Sequence, residues 1–133
     1  MERYLQIIEE TIRSIAWKRE PNGLYEPIEY VLSLGGKRIR PCLTLMACNL
    51  FSDDLKDAVT AGLALEVFHN FTLLHDDVMD KADTRRGYPT VHKRWNENTA
   101  ILSGDAMLVE AYRILSDIKS PKFHDVLETF TQT

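Results

Sequence analysis

Helical spacing constrains this chain more than any other feature of it. Over residues 2 to 17, Leu5, Ile8, Ile12 and Ile15 recur at three- and four-residue steps, which lays one apolar stripe along a helix. Pro21, Asn22 and Gly23 break it. A second helix is predicted over about residues 25 to 34, with Ile28, Val31, Leu32 and Leu34 inward and Gly35 and Gly36 as its stop. Pro41 suits the first turn of a third helix that runs to about Phe51, and it biases the preceding Arg40 away from helical angles. The stretch GGKRIR therefore reads as a loop between two helices. Asp53 or Asp54 is expected to cap a long helix from about Leu55 to Lys81, with Ala58, Ala61, Leu65, Phe68 and Thr72 along one face. ADTRRGYPT reads as a loop, followed by a helix from about Asn96 to Asp117 and another that starts at Ser120 and Pro121. No alternating strand pattern competes, so the expected fold is all-α: one helical bundle over residues 1–133.

Composition narrows the class only a little further. With 44% hydrophobic and 27% charged residues, 133 residues allow one compact core and not two comfortable domains. A net charge of −4 gives no general reason to expect a nucleic-acid partner. Cys42 and Cys48 lack metal-site or CxxC spacing and read as reduced thiols, which points to a cytoplasmic location. The opening MERYLQIIEETIR mixes acids and bases, unlike a secretory signal. The apolar region around Gly62 to Leu74 is broken by Glu66, His69 and Asn70 and falls short of the roughly 20 residues of a membrane span.

The long helix ends in HDDVMD, residues 75–80. Asp76 and Asp80, four apart, project from one face a turn apart, and Asp77 lies about 100° around from Asp76. Carboxylates so close repel one another, and a small hard cation relieves that repulsion; Mg²⁺ typically takes one or two protein carboxylates and fills its shell with water and phosphate oxygens. A solvated helix end is the plain alternative. In GGKRIR, Lys37, Arg38 and Arg40 beside two glycines make an anion cradle, since guanidinium groups grip phosphate oxygens in a bidentate fork. By itself a solvated basic turn explains that loop as well. Arg85 and Arg86 follow the carboxylates, either to neutralise them or to add to the cradle. His69 sits two turns before Asp76 on the same face, with Glu66 placed to orient it.

In this order, GGKRIRP at 35–41 and LLHDDVMDKADTRRGYPT at 73–90, with SGDAML at 103–108, resemble the trans-isoprenyl diphosphate synthases, or polyprenyl synthetases. The helix order also looks like the first half of the isoprenoid synthase fold. The resemblance implies head-to-tail condensation of isopentenyl diphosphate with an allylic diphosphate (dimethylallyl, geranyl or farnesyl), through Mg²⁺-assisted ionisation of the allylic partner. Carried onto this sequence, Asp76 and Asp80, with Asp77 close by, would hold the metals, and Arg85 would contact the allylic diphosphate. Lys37, Arg40, His69 and Arg86 would clamp the isopentenyl diphosphate, and no protein nucleophile or base is implied. Phe71 and Thr72, five and four positions before the first aspartate, would set chain length, at about C15 to C20.

The chain departs from the family in lacking a second aspartate-rich motif after Asp105 and in its length, under half the usual one. It is therefore expected to be a truncated piece with one wall of the site, inactive alone, and prone to self-associate through apolar faces that its other half would cover. Two alternatives stay open: a non-catalytic diphosphate-binding subunit of a prenyltransferase, and another DDxxD enzyme such as a terpene cyclase.

Overall fold

The computed structural model describes residues 2–133. Its helices are α1 (Glu2–Ser14), α2 (Asn22–Ser33), α3 (Ile39–Asn49), α4 (Lys56–Met79), α5 (Val91–Arg94), α6 (Glu97–Leu115) and α7 (Phe123–Gln132). Between α4 and α5 lies a small hairpin, β1 (Thr84–Arg85) antiparallel to β2 (Tyr88–Pro89). The architecture is all-α, as the spacing predicts; the short α5 fills a stretch to which the sequence reading assigned no element, and the hairpin is a departure in type. It stands where a loop was expected, because Arg86 and Gly87 both take positive φ, 52° and 83°, the pair of angles that a two-residue hairpin turn requires. No helix among the described residues is long and apolar enough to cross a membrane.

The axis of the bundle is α4, which packs most extensively on α6 and then on α3, with α1 and α2 against the same assembly. Ile8, Ile28, Leu32, Leu45, Met107 and Leu115 are fully enclosed around it. Each such side chain contributes about 1.5–3 kcal/mol relative to exposure. Two glycines set how closely the helices approach. A methyl group on Gly62 would stand 3.1 Å from Pro41 Cβ, so the start of α3 rests directly on α4. A methyl on Gly104 would fall 2.3 Å from His75 Nε2, so the imidazole lies over the α6 backbone. His75 Nε2 is 3.0 Å from the Ile101 carbonyl, and the ring meets Phe71 edge-on at 4.9 Å.

That seat gives a direct test. Gly104→Ala should cost about 1–3 kcal/mol, the usual penalty for overfilling a packed contact. Adding His75→Ala should restore part of it, since the space is then vacated. Thermal denaturation of the three variants measures this. A neutral Gly104→Ala, or a pair whose losses simply add, would contradict the seat.

Several boundaries differ from the sequence reading. Arg40 is helical, the second residue of α3, because α3 begins before Pro41 and Cys42 N–H already donates to the Arg38 carbonyl. Leu55 stands at the N-cap of α4, although the Asp54 carboxylate does accept from Lys56 N–H at 3.2 Å. The helix expected from about Asn96 starts there, and Asn96 caps it by accepting from Thr99 N–H at 2.8 Å. The apolar face expected on α4 is not its innermost one. Gly62, Ala64, Val67, Asn70 and Leu74 face the core, while Leu65, Phe68 and Thr72 are half-buried on the flank that carries Phe130 of α7.

Candidate functional site

The loop from Leu34 to Arg38 is shaped by three left-handed residues, Gly35 (φ +83°), Gly36 (φ +145°) and Arg38 (φ +52°). Arg38 is the reason the third is tolerated. Its guanidinium donates to Glu9 (2.8 Å), Glu66 (3.1 Å) and the Leu32 carbonyl (2.7 Å), and the residue is only 2% exposed. It therefore spends its charge inside the protein. The cradle expected from Lys37, Arg38 and Arg40 loses its middle member to structure, and what Arg38 does instead is pin the loop to α1, α2 and α4.

With the loop so fixed, Lys37 and Arg40 stay exposed, and among the described residues neither they nor Arg86 takes part in an ion pair. The hairpin brings Arg86 back onto the loop, its guanidinium so near Gly36 that a methyl there would be 3.0 Å from Nη2. Gly36, Lys37, Arg40, His69 and Arg86 line one cavity of about 360 Å³, with the Arg38–Glu66 pair in its wall. All four residues expected to clamp a diphosphate are thus in one place. Glu66 does not orient His69: it holds Arg38 and accepts from Asn70 Nδ2 at 3.1 Å, while His69 Nε2 lies 3.4 Å from Arg40 Nη1.

The local field is positive. Partial burial and then the Arg40 charge, with Arg86 and Arg85 adding to it, lower the His69 pKa from its ordinary value of 6.5. Partial burial followed by the charges of Arg85 and Arg38 likewise lowers that of Arg86. Groups in such a field are short of negative charge. Because folded His69 holds a proton less tightly than the unfolded residue does, the folded chain loses stability as pH falls below about 6.5.

The three aspartates divide. Asp76 and Asp80 are exposed at the C-terminal end of α4, where Asp80 N–H donates to the Asp76 carbonyl at 2.8 Å. Asp77 is 7% exposed and receives Arg85 through a two-pronged contact, Nε at 2.7 Å and Nη2 at 2.8 Å. Arg85 thereby anchors the hairpin to α4 and keeps its remaining N–H donors for another acceptor. No three His, Cys, Asp or Glu side chains among the described residues converge on one metal position. Asp76 and Asp80, a turn apart and unpaired, are the carboxylates that fit a cation whose other ligands come from a phosphate.

Adjoining the basic cavity, and sharing Arg40 and His69 with it, is a hollow of about 440 Å³ walled by Leu65, Phe68, Thr72, Tyr112 and Phe130. Phe71 is half-buried and held edge-on by Phe68 at 5.3 Å, which in turn meets Phe130 at 5.8 Å. Thr72 turns its hydroxyl to the His69 carbonyl at 2.6 Å. Sequence reasoning missed the roles of Gly104 and His75, the aromatic stack reaching α7, and the structural use of Arg38 and Asp77.

A family model described as "Polyprenyl synthetase" matches residues 21–133. The chain belongs to the polyprenyl synthetase family. The geranylgeranyl pyrophosphate synthase of Geoglobus acetivorans is 42% identical to it over 116 residues, which is 87% of this chain and 36% of that protein. The short chain isoprenyl diphosphate synthase of Methanocaldococcus jannaschii is 42% identical over 129 residues, 96% of this chain and 39% of the relative. A crystal structure of a geranylgeranyl pyrophosphate synthase superposes with a TM-score of 0.86 at 50% identity, covering 98% of this chain and 39% of that one. The geranylgeranyl pyrophosphate synthetase of Pyrococcus horikoshii gives 0.89 at 36% identity, covering 96% and 40%. This polyprenyl synthetase chain therefore spans about two fifths of the length of the relatives it matches.

Proposed function

We propose that this chain carries the substrate-gripping half of a prenyltransferase that condenses isopentenyl diphosphate with an allylic diphosphate. The carrying observation is the separation of two sites with different chemistry: Lys37, Arg40, His69 and Arg86 around one cavity, and the exposed carboxylates Asp76 and Asp80 beyond it. The first holds the isopentenyl diphosphate, a task that needs only positive donors in fixed places. The second, with Arg85 beside it, holds the allylic diphosphate. Asp76 and Asp80 would hold Mg²⁺ there, and the ion would supply neutralisation of the charge on a departing diphosphate. With one wall of the site, the chain binds diphosphate but does not by itself transfer prenyl groups.

The test uses His69 as reporter. Inorganic pyrophosphate bound beside the imidazole adds negative charge, so the His69 pKa, below 6.5 in the free chain, should rise on saturation. An NMR titration of the imidazole protons with and without pyrophosphate measures it. Arg40→Ala should weaken that binding by about tenfold or more, given the roughly 1.5–3 kcal/mol of a hydrogen bond to a charged group. An unmoved His69 pKa at saturating pyrophosphate would refute this reading.

The hollow adjoining the clamp accepts the growing chain, and Phe71, packed edge-on against its Phe68 wall, acts as a floor from behind that wall, which favours a product of about C15 to C20. In a polypeptide that completes the fold, Phe71→Ala should lengthen the product, read by chromatography of the dephosphorylated alcohols. Products no longer than those of the parent would sink the floor assignment.

A further inference from the structure

Away from the clamp and the aspartates, two hollows adjoin around Trp17. The first, about 540 Å³, is the larger, and Trp17, Arg19, Tyr30, Arg94 and Trp95 are among its walls. The second, about 450 Å³, has Ile12, Ile15, Ala16 and Leu32 in its walls. They share Trp17, Lys18, Glu29 and Ser33, so a polar, aromatic compartment opens beside an apolar one. Each volume is in the range of small-molecule sites, about 300–1,000 Å³.

The first compartment is rich in fixed donors. Arg19 lies over the rings of Trp17 (5.2 Å) and Tyr25 (4.5 Å), and its Nη1 is held by the buried Glu110 at 3.0 Å. Arg94 lies over Tyr30 (4.4 Å) and Trp95 (4.9 Å). Both guanidinium groups are therefore held in place before any ligand arrives. Trp17 is 3% exposed, and its Nε1, together with Nε and Nη2 of Arg19, is buried without a hydrogen-bond acceptor. These three donors have almost no solvent-exposed surface, so they are enclosed behind the hollow, and the guanidinium open to a ligand is that of the exposed Arg94, with Arg19 beside it in the wall. Glu20, Glu26 and Glu29 in the same compartment balance its cations, which disfavours a polyanion.

We propose that the two hollows form a single site for an amphiphile with a singly charged oxyanion head and a short apolar tail. The head is received at Arg94 and Arg19, and the tail lies along Ile12, Ile15 and Leu32. This site is separate from the diphosphate clamp, shares no residue with it, and stands whether or not the prenyltransfer reading does.

Both tryptophans of the chain line this compartment, so their emission reports on it alone. Octanoate, titrated below its micelle concentration, should change that emission saturably and shift the Trp17 indole N–H resonance. Acetate, without the tail, and octanol, without the head, should each bind at least about tenfold more weakly. Arg19→Gln should weaken octanoate by about tenfold, with Arg94→Gln as the second variant should Arg19→Gln fail to fold, and Lys37→Ala should leave it unchanged. Farnesyl diphosphate, tested on the Arg40→Ala chain, carries a polyanionic head: weaker binding than octanoate supports a singly charged head, and binding as tight as octanoate with the same emission change would overturn it. Octanol binding as tightly as octanoate, no saturable response, or octanoate binding untouched by both arginine variants would overturn the proposal.

Discussion

Replacing Arg38 with methionine is expected to destabilise the chain by about 3–5 kcal/mol, the cost of removing one partner from a buried charged cluster. Glu66, 3% exposed, loses its guanidinium partner, and Glu9 and the Leu32 carbonyl lose theirs in the same step. Against a total stability of about 5–15 kcal/mol for a domain, that is a large share. The left-handed angle at Arg38 adds to the loss, since nothing then holds a side chain in a conformation most residues avoid. Diphosphate binding should fall with it, because Lys37 and Arg40 flank Arg38 in sequence and are placed by it. Pairing Arg38→Met with Glu66→Met, which removes the stranded carboxylate, should recover part of the stability. Denaturant unfolding of the two variants decides: a loss under about 1 kcal/mol for Arg38→Met would mean that the loop is held by something else.

The contrast between Arg38 and its neighbours shows where sequence reading works and where it stops. Helix identity was legible because the apolar spacing and the Gly and Pro punctuation are local, and the residues proposed as the clamp could be singled out because GGKRIR and HDDVMD concentrate unusual charge in a few positions. Which charge faces the ligand was not. Arg38 is committed to a partner 29 residues away on α1 and another 28 away on α4, and no local pattern encodes such pairings. Asp77 likewise differs from Asp76 and Asp80 only because the hairpin swings Arg85 onto it. The α4 stripe was misplaced for a related reason. Glycine, alanine and asparagine make up much of the true inner face, since α6 and α3 approach too closely for larger side chains, and small residues carry little hydrophobic signal.

The division among the aspartates carries the second large effect. With Mg²⁺ present, pyrophosphate should bind this chain at least about tenfold more tightly than without it, because Asp76 and Asp80 would hold the ion where it could share the diphosphate's charge. The double variant Asp76→Asn, Asp80→Asn should abolish that enhancement while leaving the Mg²⁺-independent binding at Lys37, Arg40 and His69 in place. Both side chains are exposed and unpaired, so the melting temperature should hardly move. Asp77→Asn should behave in the opposite way. It removes the anchor of Arg85 at a site only 7% exposed, so it should lower the melting temperature and leave more of the Mg²⁺ enhancement than the double variant does. Calorimetric titration of pyrophosphate with and without Mg²⁺, alongside thermal melts, reads both arms. If Asp77→Asn eliminates the enhancement while leaving the melt unchanged, then Asp77 is a metal ligand first, and its contact with Arg85 gives way when the diphosphate arrives.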